Sequence, residues 1–187
     1  YLNHVLTRFG YVDVAYDLLL QETYPSWLYP VTQGATTIWE RWDGRRPDGS
    51  FQSAGMNSFN HYAYGAVGDW MYQTVAGLDT DSSGAGYKHV KIHPHPGGNL
   101  TYASAAFDSM YGHTASRWDY GSDGFTLRVT IPANTTATVR LPNAANREIT
   151  ESGLPVEQAA GVTSVEVEER DIVIGIGSGQ YTFLTRN

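Results

Sequence analysis

The chain has 187 residues, of which 41% are hydrophobic and 17% charged, so it can bury a core and does not have the composition of a disordered segment. Its net charge of −7, without a basic block, argues against a nucleic acid or an anionic membrane surface as a partner. It has no cysteine, which excludes disulfides and thiolate metal sites, and no apolar run approaches the ~20 residues of a membrane span.

The first thirty residues predict a helical hairpin followed by an irregular loop. Apolar residues recur at helical spacing on two successive faces: Leu2, Val5, Leu6 and Phe9, then Val12, Ala15, Tyr16 and Leu19. Gly10 separates them as a helix stop. Prolines interrupt the pattern in Thr23–Pro30, whose aromatic residues either pack the loop or form a wall of a cleft, and packing is favoured. Because the amphipathic pattern is already present at Tyr1, we expect a piece of a longer polypeptide.

The stretch Gln33–Trp42, QGATTIWERW, carries the most chemical information. It predicts a short helix capped by one of its threonines, with Glu40 between Trp39 and Trp42. Carbohydrate sites are built from flat aromatic faces and a carboxylate that handles protons. The alternative is that Glu40 is a surface glutamate on a helix whose tryptophans belong to the core.

A second polar and aromatic cluster, Asn60–Gly65 (NHYAYG), follows about twenty residues later. It lies in the segment Phe59–Val75, which predicts the longest helix of the chain, with Trp70 on its apolar face. Between the two clusters, the polar stretch Asp43–Met56 is rich in glycine and arginine, which predicts an exposed loop at the border of a cleft.

A linker-like segment, Leu78–Tyr87 (LDTDSSGAGY), marks the predicted domain boundary, which divides the chain into residues 1–78 and 79–187. Beyond it, apolar residues alternate with a period of two in short segments, as in Leu127–Ile131 and Ile172–Ile176. Turn residues separate these segments. The pattern predicts an antiparallel β-sandwich, so the whole chain is expected to have an α+β fold.

Four segments resemble the bacterial α-L-rhamnosidases, a family of inverting glycoside hydrolases, and they occur in the family's order. They are Leu18–Gly44 (LLLQETYPSWLYPVTQGATTIWERWDG), Ser58–Leu78 (SFNHYAYGAVGDWMYQTVAGL), Tyr87–Pro96 (YKHVKIHPHP) and Asp123–Pro142 (DGFTLRVTIPANTTATVRLP). The resemblance implies only the C-terminal portion of such an enzyme. Residues 1–78 would be the C-terminal helices of an (α/α)6 catalytic barrel, and residues 79–187 a C-terminal β-sandwich domain.

The resemblance also assigns roles to single residues. It implies that Glu40 is the general base that activates water and that His61 contacts a hydroxyl of the sugar. Trp39 would contact the sugar or support Glu40, whereas Trp42 and Trp70 are expected in the core. The general acid of the family lies upstream and has no counterpart here, so we expect this chain alone to be inactive on rhamnose-containing glycosides.

The sequence leaves two other functions open. A non-catalytic sugar-binding or structural β-sandwich module would expose a row of aromatic residues on one sheet face, and the strands offer Tyr102, Tyr111, Trp118 and Tyr120. A glycosidase of different sugar specificity could also use a similar barrel. Since a truncated barrel leaves apolar helix faces without partners, we expect residues 1–78 to self-associate or to bind the missing barrel segment.

Three histidines in KHVKIHPHP suggest a metal site, but the prediction is against one. His93 and His95 are separated by a proline at the end of a strand, and no third ligand with fixed geometry is evident beside His89. We therefore predict no metal and no other cofactor.

Overall fold

The computed structural model describes residues 1–186. The chain forms two compact units. The first, Tyr1–Trp70, is called the helical unit, and the second, which begins at Met71, is called the sandwich unit. The domain boundary that the sequence predicts between residues 78 and 79 stays a prediction.

The helical unit begins with the predicted hairpin, which is confirmed. Helix α1 spans Leu2–Arg8 and helix α2 spans Val12–Leu20. The turn between them passes through Gly10 at φ 84°, a left-handed conformation that suits glycine. Asn3 of α1 is buried and its side-chain amide donates to the carbonyl of Ala15 in α2, at 3.2 Å.

The apolar face predicted for α1 exists but points outward within this unit. Leu2 is 57% exposed, Val5 49% and Phe9 70%. By contrast, α2 buries its predicted face, and Tyr16 meets Trp70 edge to face with ring centroids 5.2 Å apart. The indole nitrogen of Trp70 donates to Thr7 Oγ1 at 2.8 Å, so the prediction that Trp70 belongs to the core is confirmed.

One predicted helix is wrong, and another begins four residues later than predicted. Apart from helix α3 (Leu28–Thr32), the chain from residue 21 to residue 53 is not helical, so Gln33–Trp42 forms no helix. Residues 59–62 are not helical either, and the predicted long helix starts only at residue 63. It is divided into a 3₁₀ turn (Ala63–Ala66), helix α4 (Val67–Trp70) and, in the sandwich unit, a π-helical turn (Met71–Val75). A further 3₁₀ turn spans Ala54–Met56.

The sandwich unit contains eleven strands in its described part, and the predicted fold class is confirmed. They are β1 (Leu78–Thr80), β2 (His89–Ile92), β3 (Tyr102–Ser109), β4 (Gly112–Gly121), β5 (Gly124–Ile131), β6 (Thr136–Leu141), β7 (Ile149–Glu151), β8 (Leu154–Pro155), β9 (Val162–Glu168), β10 (Asp171–Ile176) and β11 (Gly179–Arg186). The sheets have the orders β1-β2-β6-β10-β9 and β3-β4-β5-β11-β7-β8. All pairs are antiparallel except β2 with β6.

The core of the sandwich unit is formed by the inward residues of both sheets. They alternate along the strands, as in Leu127, Val129 and Ile131 of β5 and Ile172, Ile174 and Ile176 of β10. Trp118 of β4 is fully buried, and its indole nitrogen donates to the carbonyl of Val75 at 2.6 Å. The hydrophobic alternation read from the sequence therefore does mark the buried face.

The aromatic row required by a sugar-binding module does not form on these strands. Trp118 is buried and Tyr111 is half-buried. Tyr102 and Tyr120 are both exposed, but Tyr102 pairs with Asp119 and so lies on the face opposite to that of Tyr120. Successive strand residues point to opposite faces, so these two rings cannot form one platform.

Candidate active site

Glu40 and His61 line one cavity of about 550 Å³ within the helical unit. The remaining walls come from residues 1–4, from Trp27, Trp42 and Met56, and from the segment between residues 63 and 70. These lining residues are Tyr1, Leu2, Asn3, His4, Trp27, Trp42, Met56, Ala63, Tyr64, Ala66, Val67 and Trp70. The two principal residues of the predicted site are therefore brought together, and Glu40 is the only carboxylate in this lining.

Backbone hydrogen bonds between two irregular segments explain how residues 21 positions apart reach the same cavity. The amide of Glu40 donates to the carbonyl of Ser58 at 2.9 Å, and the amide of His61 donates to the carbonyl of Ile38 at 2.8 Å. The hydroxyl of Thr37 donates to the carbonyl of Phe59. These bonds use the backbone groups that a helix would need internally, which is why neither segment is helical.

The carboxylate of Glu40 is held by a backbone donor. The amide of Ser58 donates to Glu40 Oε2 at 2.7 Å, and the Glu40 side chain is half-buried. A charged acceptor gives one of the stronger hydrogen bonds found in proteins, so this contact fixes the orientation of the carboxylate. The neighbouring cation is engaged elsewhere, because Arg41 binds both oxygens of Asp43, at 2.8 and 3.0 Å. That hydrogen bond lowers the pKa of the Asp43 carboxyl and raises the pKa of Arg41.

Trp39 does not line the cavity that contains Glu40. Its side chain is only 8% exposed and packs edge to face on Phe59, with ring centroids 4.9 Å apart. It lines a separate cavity of about 230 Å³. Of the two roles predicted for Trp39, this placement favours support of the Glu40 segment over contact with a sugar, and the role stays a prediction.

Three aromatic side chains form a wall that faces both cavities. Trp42 lies 4.8 Å from Trp27 and 4.8 Å from Tyr64 between ring centroids, and the indole nitrogen of Trp27 donates to the carbonyl of Tyr64 at 3.1 Å. All three line both cavities. The loop that contains Trp27 was predicted to be packed rather than to form a cleft wall, and Trp27 does both. Trp42, predicted in the core, is only half-buried.

Two lining residues were missed by the sequence analysis. Tyr64 belongs to the NHYAYG cluster but received no role of its own. His4 lies in α1, and its Nε2 is 3.0 Å from a carboxylate oxygen of Asp69. Nothing in the sequence around His4 indicates that α1 starts beside Glu40, since this requires a contact between segments far apart in the chain.

The three histidines of KHVKIHPHP have side-chain neighbours within the sandwich unit. The rings of His93 and His95 lie 4.1 Å apart, and burial lowers the pKa of His93 to about 3 and also lowers that of His95. The two ring nitrogens of His89 contact the hydroxyls of Thr136 and Thr138, at 2.7 and 2.8 Å. Within residues 1–186, no three His, Asp or Glu side chains are placed to hold a metal ion. Over the same residues, no helix has the length and apolar content to cross a bilayer.

The depressed pKa of His93 predicts acid sensitivity of the sandwich unit. The unfolded chain takes up a proton near pH 6.5 and the folded chain only near pH 3, so stability falls as the pH drops through this window. From His93 alone, we expect the free energy of unfolding to fall by about 2 kcal/mol between about pH 7.5 and pH 5. Urea unfolding followed by circular dichroism would measure it. His93→Gln should remove this part of the pH dependence, whereas a matched change at the exposed His113 should not; equal pH dependence in both variants would contradict the assignment.

Comparison with known proteins places this geometry in a family. Residues 1–75 match the model of the bacterial alpha-L-rhamnosidase 6 hairpin glycosidase domain, and residues 77–154 match that of the bacterial alpha-L-rhamnosidase C-terminal domain. An alpha-L-rhamnosidase of Streptomyces avermitilis is 48% identical over 179 residues, which are 96% of this chain and 16% of the relative. One of Formosa agariphila is 40% identical over 182 residues, which are 97% of this chain and 19% of the relative.

Solved structures agree with the sequence matches. The structure of the Streptomyces avermitilis alpha-L-rhamnosidase complexed with L-rhamnose is similar with a TM-score of 0.85 and 46% identity, over 97% of this chain and 17% of that one. An alpha-L-rhamnosidase from Dictyoglumus thermophilum gives a TM-score of 0.84 and 35% identity, over 100% of this chain and 20% of that one. The chain thus spans no more than about a fifth of the length of these relatives. It belongs to the bacterial α-L-rhamnosidase family and corresponds to a C-terminal portion of those proteins.

Proposed function

We propose that this chain supplies the general-base half of an α-L-rhamnosidase active site. The observation that carries the proposal is the shared cavity of Glu40 and His61; among the described residues that line it, Glu40 is the only carboxylate. An inverting glycosidase needs one carboxylate to activate water and a second, protonated one to assist the leaving group. A single fixed carboxylate beside aromatic walls is what one half of such a pair requires.

In the proposed reaction, Glu40 accepts a proton from a water molecule while the water oxygen bonds to the anomeric carbon of a terminal α-L-rhamnoside. The glycosidic bond breaks on the opposite face of the sugar, and the leaving oxygen takes a proton from the second carboxylic acid. Attack from the face opposite the leaving group inverts the anomeric centre. The second acid would come from a barrel segment outside this chain, so the chain alone is expected to be inactive.

The outward face of α1 supports the same view of a divided barrel. Leu2, Val5 and Phe9 present exposed apolar surface, and Leu2 also lines the cavity of Glu40. Such a surface usually finds a partner. We therefore expect it to bind either the remaining barrel or a second copy of this chain. Sedimentation of the isolated chain as a monomer at high concentration would contradict the second alternative.

His61 is proposed to contact a hydroxyl of the sugar. The amide of Ala63 donates to His61 Nδ1 at 3.4 Å, so the ring hydrogen lies on Nε2 and can be donated to a ligand. The His61 side chain is exposed at the cavity. A ligand hydroxyl at this position would therefore meet a donor whose direction is set by the backbone.

The experiment that tests the proposed function is titration of the isolated chain with L-rhamnose by calorimetry. We expect weak binding that His61→Ala lowers by about tenfold, the value of one hydrogen bond. His113→Ala, at an exposed histidine of the sandwich unit, is the matched control and should bind as the parent chain does. Binding that is equal in both variants would contradict the role of His61, and hydrolysis of an aryl α-L-rhamnoside by the isolated chain would contradict the view that half of the catalytic pair is absent.

A further inference from the structure

The loop between Gly44 and Asn57 closes next to the Glu40 carboxylate. The amide of Gln52 donates to the carbonyl of Gly44 at 3.0 Å, and Arg45 pairs with Phe51 across the loop. Residue 44 follows Glu40 by four positions, and residue 57 immediately precedes Ser58, the donor to Glu40. The loop therefore joins the two backbone segments that hold the Glu40 carboxylate.

The side chain of Asn57 crosses the base of this loop. Its amide nitrogen donates to the carbonyl of Gly44 at 3.0 Å and lies 3.5 Å from the carbonyl of Gln52. Because both neighbours are carbonyl oxygens, which only accept, the amide orientation is fixed with the nitrogen toward them. An aspartate of the same shape would place a negative charge against two carbonyl oxygens.

Gly44 makes this contact sterically possible. A Cβ at residue 44 would lie 2.6 Å from Asn57 Oδ1 and 3.3 Å from the carbonyl oxygen of Arg41. Both distances are shorter than ordinary van der Waals contact. Any larger residue at position 44 would thus push the Asn57 amide away from the loop base.

We propose that Asn57 is a positioning residue that keeps the Ser58 amide on the Glu40 carboxylate. The proposal rests on the proposed function of Glu40. Ser58 makes two hydrogen bonds with Glu40. Its amide donates to Oε2 at 2.7 Å, and its carbonyl accepts from the Glu40 amide at 2.9 Å. Asn57 is the adjacent residue and its side chain anchors the chain to Gly44, so loss of this anchor frees the Ser58 peptide to turn away from the carboxylate.

The test is amide hydrogen exchange of the full chain, read by NMR at Ser58. Two variants remove the Asn57 amide: Asn57→Asp, and Asn57→Ala, which adds no charge. In both, we expect hydrogen exchange at the Ser58 amide to accelerate at least about tenfold, the effect of losing one hydrogen bond. Gly44→Ala should do the same through its steric contact with Asn57. The amides of α2 should keep their protection in all three variants, which separates a local effect from unfolding. Asn99→Asp, with the same charge change at an exposed residue, is the control.

A second readout separates this proposal from the proposed function. In a chimera that joins this chain to the remainder of the Streptomyces avermitilis relative, Asn57→Asp should lower kcat by about tenfold or more with KM nearly unchanged, because a general base is misaligned and the sugar contacts are kept. Unchanged Ser58 exchange in both Asn57 variants would overturn the role of Asn57. An inactive parent chimera would instead count against the proposed function, and the exchange data would still decide on Asn57.

Discussion

Glu40→Gln should lower kcat for an aryl α-L-rhamnoside by about 10²–10⁴-fold, the contribution that a positioned general base makes. The measurement needs a complete barrel, so the chimera with the Streptomyces avermitilis relative is the suitable enzyme, given 48% identity over nearly the whole of this chain. Glutamine keeps the size of the side chain and an oxygen that can accept from the Ser58 amide. The substitution therefore removes the ability to take a proton from water and leaves the surroundings in place.

The control for this variant is Glu22→Gln, the same change at an exposed glutamate of the helical unit. It should leave kcat unchanged. KM should change little in either variant, because Glu40 is proposed to contact the attacking water and not the bound sugar. If Glu40→Gln retained more than about a tenth of the parent kcat, the role of Glu40 as general base would be refuted.

Trp118→Ala is expected to cost the sandwich unit about 3–5 kcal/mol of stability, the usual price of removing a large buried aromatic side chain. Trp118 is fully buried, and its indole nitrogen donates to the carbonyl of Val75 at 2.6 Å. The substitution opens a cavity between the sheets and leaves this carbonyl without its donor. Urea unfolding followed by far-ultraviolet circular dichroism would measure the loss.

Two further variants separate the contributions of Trp118. Trp118→Phe keeps a ring in the core but removes the indole donor, so it should lose about 1–3 kcal/mol. Tyr102→Ala removes an exposed aromatic of the neighbouring strand, which lies beside Arg117, and should lose at most about 1 kcal/mol. Equal losses for Trp118→Ala and Tyr102→Ala would contradict the assignment of Trp118 to the core.

The sequence predicts those elements of this fold that depend on local periodicity. The hairpin α1–α2 follows from a 3.6-residue period with Gly10 as its stop, and the strands of the sandwich follow from two-residue alternation. Periodicity identifies an apolar face but not what covers it. The face of α1 is therefore correctly located at Leu2, Val5 and Phe9, although these residues are exposed in the helical unit.

The absent helix at Gln33–Trp42 and the late start of the helical segment after Phe59 have a common physical cause. Two segments carry patterns compatible with helices, Gln33–Trp42 and Phe59–Tyr62. They are instead joined to each other by backbone hydrogen bonds, such as that from the amide of His61 to the carbonyl of Ile38. A pairing across twenty residues leaves no local signal in either segment. Tertiary contacts override local propensity in such cases.

The sequence predicts only part of the candidate site, because contacts between distant segments leave no local signal. Glu40 and His61 stand in sequence motifs that resemble the family, and these motifs identify them without knowledge of the fold. Their shared cavity, and the presence of Tyr64 and His4 in it, depend on how distant segments pack. The placement of Trp39 in a separate cavity could not be predicted either, because it depends on its packing against Phe59, twenty residues away in the chain.

This chain is proposed to contribute the general base of an inverting rhamnosidase site. Proton NMR of the sugar first released when the chimera hydrolyses an aryl α-L-rhamnoside tests this role. A water activated by Glu40 attacks the face opposite the leaving group, so we expect β-L-rhamnose to appear first and to convert to the α anomer only by mutarotation. Initial release of α-L-rhamnose would contradict it, because retention requires a carboxylate that acts as nucleophile.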